Sequence, residues 1–295
     1  MDVEMKIQEP INKVTRKQKL KNYSKHPGSF LLALLTKLAI LLTVLALGFI
    51  LIYILVKGIP NLSTDLFALK YTTENVSMLP AIINTLIITL LSLCIAGPIG
   101  IFSAIYLVEY AKKGNKLVEV VRVTAETLTG IPSIVYGLFG MLFFVTTLKC
   151  GYSILAGALT LSIMVLPVIM RTTEEALLAV PNSFREGSFG LGAGKLRTIF
   201  KIVLPSAVPG ILAGVILAIG RMVGETAALI YTAGTVAEIP SSIMSSGRTL
   251  AIHMYSLSKE GFYTNQAYAT AVVLLIVVVL INMLSNFVAK KFTKK

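Results

Sequence analysis

The chain has 295 residues, of which 55% are hydrophobic and only 14% are charged. Soluble domains have about 25% charged residues, and much of their surface must stay wet, so a mean hydropathy of +0.81 excludes that class. The two cysteines and two histidines are too few for a disulfide framework or a histidine-built metal centre, and no cofactor is expected. The composition therefore predicts an integral membrane protein.

Six apolar runs are long enough to cross the roughly 30 Å hydrocarbon core of a bilayer as helices. The predicted fold is thus an all-α membrane bundle of six transmembrane helices. These spans are residues 38–56, 79–108, 128–148, 154–170, 206–231 and 269–288.

Lysine and arginine are concentrated at the two ends of the chain and in the connections after the second and fourth spans. Because basic loops stay in the cytoplasm, both termini are predicted to be cytoplasmic. This distribution accounts for the net charge of +13 by membrane orientation. A nucleic-acid-binding surface needs basic residues gathered on one face, whereas these residues lie beside the apolar spans. The predicted parts are a basic tail near membrane lipid (1–29), the first span with its connection (30–77), a core (78–288) and a basic C-terminus (289–295).

The connection between the fourth and fifth spans, residues 171–205, is too long to be structureless. Within it, the Gly-Ala-Gly-Lys string at 192–195 looks like a phosphate-binding loop. Such a loop needs glycine where Phe189 stands and serine or threonine where Leu196 stands. No nucleotide site is therefore expected in this chain.

The same connection carries a spaced motif. Glu186, Gly192, Ile202, Leu204 and Pro205 have the spacing of Glu-Ala-Ala-x3-Gly-x9-Ile-x-Leu-Pro, although glycine and serine replace the two alanines. The chain therefore resembles the permeases of ABC importers, which implies a type I, MetI-like bundle.

In that family the motif forms a coupling helix that docks in a cleft of a separate ATPase subunit. The resemblance implies such a helix around residues 183–197. The alternative is an ordinary amphipathic helix at the membrane interface. The residues implied in ATPase coupling are Glu186, Leu191, Gly192 and Leu196.

Two charged residues lie inside the fifth span, Arg221 and Glu225. A charge deep in the bilayer costs about 2.5–3.5 kcal/mol and usually faces the bundle interior or a water-filled path. Four residues apart, the two are predicted to pair on one helical face, either as a structural ion pair or beside a ligand. The guanidinium fork suits a tetrahedral oxyanion.

Glycines spaced by four predict close helix packing in the same span; they are Gly210, Gly214, Gly220 and Gly224.

Three stretches narrow the resemblance to phosphate-import permeases of the PstA family. Residues 220–228 match Gly-Arg-x-x-Gly-Glu-Thr-Ala-Pro except that Ala228 replaces the proline, and residues 130–140 and 171–177 also agree. The resemblance implies a prokaryotic cell-membrane importer with a PstC-like sister permease, a dimer of PstB-like ATPases and an external PstS-like phosphate-binding protein. The residues implied along the phosphate path are Arg221, Glu225, Thr226 and, less directly, Arg171.

Several alternatives stay open or are disfavoured. A permease for another oxyanion, such as sulfate or molybdate, stays open, as does a PstC-like identity, because PstC carries a similar arginine-glutamate motif. Arg171 could instead be a positive-inside anchor. An enzyme is disfavoured because His253 has no catalytic partners at motif spacing. A secondary transporter is disfavoured because only one deep carboxylate and no repeat occur.

Overall fold

The computed structural model describes residues 27–112 and 114–293, and all regular structure in these ranges is helical. The predicted tail at 1–29 lies outside the described residues except for its last three positions. The described chain forms two compact units, one ending at Ile54 and the other beginning at Leu55.

The described chain contains eleven α-helices, and three of them are extended by wider π-helical turns. The π-turns are Tyr106–Tyr110 after α2, Met141–Thr147 after α4 and Ile199–Val203 before α8. The helices are α1 (Pro27–Gly58), α2 (Leu79–Ile105), α3 (Lys116–Thr129), α4 (Ser133–Gly140), α5 (Ile154–Leu178), α6 (Asn182–Gly190), α7 (Lys195–Thr198), α8 (Leu204–Val223), α9 (Ala227–Ile230), α10 (Leu250–Glu260) and α11 (Thr264–Thr293).

Five helical segments in the described ranges are long and apolar enough to cross a membrane, and α3 with α4 makes a sixth if this bent pair is one span. The prediction of an all-helical membrane protein is therefore confirmed. The predicted first, second, fourth and sixth spans fall within α1, α2 with its π-turn, α5 and α11, and α5 continues eight residues beyond its predicted end.

The third predicted span, 128–148, is wrong as one continuous helix. The structure ends α3 at Thr129, starts α4 at Ser133 and bends the pair by 104°. Pro132 has no amide hydrogen to donate, and it disfavours helical backbone at Ile131, so the helix cannot run through this point.

The fifth predicted span, 206–231, ends too late. The structure ends α8 at Val223, and α9 begins only at Ala227. Between them the Glu225 carboxylate accepts a hydrogen bond from the Ala228 amide, with an Oε1–N distance of 3.0 Å. A side-chain acceptor at this position satisfies an amide that has no partner inside a new helix, so it favours a fresh start over continuation.

The centre of the second unit is the contact between α2 and α5. The Ser92 hydroxyl donates to the Ala158 carbonyl at 3.1 Å, and the Ser162 hydroxyl donates back to the Ser92 carbonyl at 3.2 Å. Further along the pair, a Cβ added at Gly100 would lie 3.0 Å from Ile169 Cγ2. Small residues and hydroxyl bonds across helices are the means by which membrane helices associate.

Close packing of α8 against α5 confirms part of the glycine prediction. A Cβ added at Gly210 would lie 2.6 Å from that of Ala176, and one added at Gly214 would overlap the Thr172 hydroxyl. At Gly220 no atom of the described chain lies within 4 Å of such a Cβ. The close glycine contacts are therefore at Gly210 and Gly214 and not at Gly220.

Candidate functional site

The short helix α9 is inserted beside α4 through contacts that require glycine. A Cβ added at Gly137 would lie 2.9 Å from Ala228 Cα, and one added at Gly140 would lie 2.7 Å from Thr232 Cγ2. These two glycines belong to the 130–140 stretch that carries the family resemblance. Their role is steric, because they let the chain after Glu225 pass close to α4.

The carboxylate of Glu225 is used by its own turn. Besides accepting from the Ala228 amide, Glu225 donates its own amide to the Met222 carbonyl at 3.2 Å. Thr226 Oγ1 makes a long hydrogen bond of 3.4 Å to the Gly224 carbonyl. No ion pair within 4.0 Å joins Glu225 to Arg221 in the described structure. The predicted pair is therefore wrong, because the helix that was expected to place both on one face ends between them.

Arg221 lies half-buried in the last turn of α8. Tyr136 of α4 is buried, and its hydroxyl donates to the Leu128 carbonyl at 2.7 Å. No hydrogen bond or ion pair to Arg221 is formed by the residues that the structure describes. Sequence reasoning missed Tyr136, although a tyrosine in an apolar helix signals a hydroxyl that needs a partner.

Arg171 belongs to a separate charged cluster between α3 and α5. Its guanidinium contacts Glu126 at 3.3 Å and Glu175 at 3.2 Å. Beside it, Arg122 pairs with Glu174 at 2.6 Å. These five side chains help to line a cavity of about 250 Å³. The cluster balances the charge of Arg171 with carboxylates.

The structure does not bring Arg171 to Arg221. Thr172, the neighbour of Arg171, lies opposite Gly214 of α8. Arg221 is seven residues further along α8, which corresponds to about 10 Å of helix. The two arginines that were predicted to share a path therefore occupy different levels of the bundle.

The predicted coupling helix at 183–197 is two helices, α6 and α7, joined by a turn. Gly192 has a φ of +80°, a left-handed conformation that favours glycine. The buried Ser188 hydroxyl lies 2.8 Å from that of Thr198, which ties α6 to α7. Ser188 stands where the family motif has alanine, so this departure gives the segment an internal bond. We call residues 182–198 the α6–α7 segment.

The α6–α7 segment exposes apolar side chains around the turn. Leu191 is 91% exposed and Leu196 is 66% exposed, while Glu186 is also at the surface. Phe184 and Phe189 are each 48% exposed. Neighbouring exposed apolar side chains of this kind are typical of a surface that contacts lipid or another protein.

The family model described as "Binding-protein-dependent transport system inner membrane component" matches residues 96–295. Among curated relatives, the phosphate transport system permease protein PstA of Pasteurella multocida is 36% identical over 269 residues, covering 87% of this chain and 92% of the relative. The probable ABC transporter permease protein YqgI of Bacillus subtilis is 32% identical over 261 residues, covering 82% and 88%.

Solved structures show the same fold at low identity. A chain of a bacterial alginate ABC transporter, in complex with an alginate-bound periplasmic protein, matches with a TM-score of 0.67 and 16% identity over 92% of this chain and 98% of that one. A chain of the MetNI methionine ABC transporter matches with a TM-score of 0.57 and 20% identity over 82% and 98%. Permeases of this kind work with separate ATPase and substrate-binding proteins. This chain belongs to the family of binding-protein-dependent transport system inner membrane components, the multi-pass permeases of ABC importers.

Proposed function

We propose that this permease forms half of the pathway of an ATP-driven importer of inorganic phosphate, and that Arg221 binds phosphate on that pathway. The observation that carries the site is that Arg221 has no carboxylate partner among the described residues, since Glu225 bonds the Ala228 amide instead. The substrate rests on the PstA relatives, of which one is 36% identical over most of both chains.

An arginine without a fixed carboxylate suits the transport of an anion. A half-buried guanidinium is costly unless it is paired, and a permanent carboxylate partner would compete with phosphate for the same donors. The free fork of Arg221 can donate two parallel hydrogen bonds to a phosphate that passes. In this proposal Glu225 and Thr226 hold the turn that places Arg221, and Arg171, which is paired with Glu126 and Glu175, does not contact phosphate.

The α6–α7 segment supplies the coupling. Its exposed Leu191 and Leu196 suit an apolar cleft of an ATPase subunit, with Glu186 and the Gly192 turn at the same surface. ATP binding and hydrolysis in those partner subunits then move the segment, and the bundle opens the site near Arg221 first outward and then inward. The proposed assembly contains a PstC-like sister permease, two PstB-like ATPases and a PstS-like binding protein in a prokaryotic cell membrane.

Uptake of radiolabelled phosphate tests the site. The complete importer is produced in cells that lack their own high-affinity phosphate import, with this chain unaltered, as Arg221→Gln or as Arg221→Lys. Loss of a charged hydrogen bond of about 1.5–3 kcal/mol predicts a roughly 10- to 100-fold loss of uptake for Arg221→Gln. Arg221→Lys keeps the charge without the fork, so its loss should be smaller.

Exposed Lys291, near the end of α11, provides the control. Lys291→Gln removes one positive charge away from both the site and the α6–α7 segment and should leave uptake within about twofold of the unaltered chain. Normal uptake by an assembled Arg221→Gln importer would show that Arg221 is not on the pathway.

Competition tests the substrate. An excess of unlabelled phosphate should abolish uptake of the label, and an equal excess of sulfate or molybdate should leave it unchanged. Equal inhibition by sulfate or molybdate would assign the importer to another oxyanion.

A further inference from the structure

One guanidinium, that of Arg185, joins three helical elements at the end of the bundle. Its Nε and Nη2 atoms donate to Glu109 Oε1 at 3.1 and 2.7 Å. Nη2 also donates to the Leu177 carbonyl at 2.9 Å, and Nη1 donates to the Val180 carbonyl at 2.8 Å. The Arg185 and Glu109 side chains are only 15% and 9% exposed.

Each partner belongs to a different element. Glu109 lies in the π-turn that ends α2, the Leu177 carbonyl lies in the last turn of α5 with Val180 just beyond it, and Arg185 lies in α6. The last carbonyls of a helix have no partner within the helix and carry partial negative charge. Arg185 bonds one of them, the Leu177 carbonyl, together with the Val180 carbonyl just beyond the helix and the Glu109 carboxylate, so α6 is bonded to the ends of both α2 and α5.

A second contact attaches α7 to the same turn of α2. The Lys195 ammonium lies 4.8 Å from the centroid of the Tyr110 ring, a cation–π arrangement. Tyr110 is the chain neighbour of Glu109, so both helices of the α6–α7 segment contact consecutive residues of α2's π-turn. A buried apolar cluster lies at the same end of the bundle and includes Leu107, Leu177, Val180, Ile199 and Val203.

These contacts lead to a specific role. We propose that Glu109 and Arg185 are positioning residues that make the α6–α7 segment move as one body with α2 and α5. The two helices already form the central pair of the bundle through Ser92 and Ser162. A force on the α6–α7 segment is therefore transmitted to α2 and α5. Without these contacts the same force would only bend the chain around Pro181. The inference rests on the proposed function, since it assumes that an ATPase moves the segment.

The test is the number of phosphate ions transported per ATP hydrolysed. The complete importer is reconstituted in lipid vesicles, and labelled phosphate uptake and ATP hydrolysis are measured in the same sample. Arg185→Gln should lower this ratio about tenfold or more while ATP hydrolysis stays within about twofold. Glu109→Gln, which leaves the two carbonyl bonds of Arg185 in place, should lower the ratio less. Lys291→Gln, at an exposed basic residue near the end of α11 and outside the α6–α7 segment, should leave it unchanged.

A reversible crosslink separates a mechanical link from a role in folding alone. In a chain with Cys94→Ser and Cys150→Ser, the double variant Glu109→Cys, Arg185→Cys should be uncoupled. Bridging the two thiols with a bifunctional methanethiosulfonate should restore the ratio, and a reducing agent should abolish it again. A bridged importer that stays uncoupled would overturn the link.

The outcomes also separate this inference from the proposed function. If the unaltered importer hydrolyses ATP but moves no phosphate, the proposed function is wrong. If the unaltered importer moves phosphate and Arg185→Gln keeps its ratio, or loses uptake and hydrolysis in parallel, the link alone is wrong.

Discussion

The Glu225 carboxylate and the Ala228 amide are joined by a hydrogen bond, with an Oε1–N distance of 3.0 Å. This bond starts α9 and leaves Arg221 without the partner that a continuous helix would have given it. The acid thus contributes as a hydrogen-bond acceptor in a turn. Its negative charge is not used to neutralise a neighbour.

Substitutions at Glu225 distinguish these two roles. Glu225→Gln keeps an oxygen that can accept from the Ala228 amide, so it should preserve assembly and most phosphate uptake. Glu225→Ala removes the acceptor and should lower the free energy of unfolding by about 1 kcal/mol. Thermal unfolding of the purified permease in detergent, together with uptake by the complete importer, measures both. Equal damage by the two substitutions would show that the charge matters.

The sequence could predict those parts of the fold that depend on local composition. Apolar runs were sufficient for four of the six spans. Four-residue spacing predicted four contact glycines in one span, and the structure places two of them, Gly210 and Gly214, against α5. The two errors, at Pro132 and after Val223, arose because each break is a short interruption of a longer apolar run. There, the backbone requirements of a proline and one side-chain acceptor outweigh hydrophobicity.

The site could be predicted only in part, because its decisive contacts are not local. Arg221 was identified by its charge within an apolar run, but its isolation from Glu225 depends on where α8 ends. Arg185 and Glu109 are 76 residues apart in the chain. Each alone is typical of a cytoplasmic loop, and only the folded ends of α2 and α5 bring the two together.

The contact between α5 and α8 predicts a sharp difference between two glycines of the same helix. Gly214→Ala places a methyl group against the Thr172 hydroxyl and should lower the free energy of unfolding by about 1–3 kcal/mol. Gly220→Ala meets no atom of the described chain within 4 Å and should not destabilise it. Thermal unfolding of both variants in one detergent checks this, and equal stability would mean that the helices can separate without cost.

The buried imidazole of His253 predicts loss of stability in acid. Burial, and to a smaller extent the Arg248 charge, lower the pKa of His253 from 6.5 to about 3. Between pH 6.5 and about 3, the unfolded chain therefore carries a proton on His253 that the folded chain does not bind. The free energy of unfolding should fall by about 1.4 kcal/mol for each pH unit between 6.5 and 3. Thermal unfolding between pH 7.5 and 5 measures this slope.

The control for this slope is His253→Gln, which removes the titrating group. Its unfolding midpoint should vary less with pH over the same interval, even if the substitution lowers stability at pH 7.5. An identical slope in both proteins would assign the acid sensitivity to carboxylates elsewhere in the chain.

We predict that removing the charge of the buried Arg248 side chain stabilises the protein. This side chain is 6% exposed, and its Nε and Nη2 atoms are buried with no hydrogen-bond partner in the described structure. Its guanidinium lies 4.6 Å from the centroid of the Tyr71 ring, which compensates only part of the desolvation cost. Arg248→Met has a similar length, keeps a contact with the ring and should raise the free energy of unfolding by about 1–4 kcal/mol.

Two measurements check the Arg248 prediction independently. The unfolding midpoint at pH 7.5 should rise in Arg248→Met. The pKa of His253 should also move back toward 6.5, because the Arg248 charge is one cause of its lowering, so the acid destabilisation should become smaller. Tyr71→Leu, which removes the ring and keeps the charge, should lower the midpoint. A lower midpoint in Arg248→Met would show that the guanidinium gains more from its surroundings than burial costs it. In that case the Arg248 guanidinium helps to hold the loop before α10 in place. The other bonds to this residue, from the Asn84 side chain and to the Val236 carbonyl, involve only its backbone and would be kept in Arg248→Met.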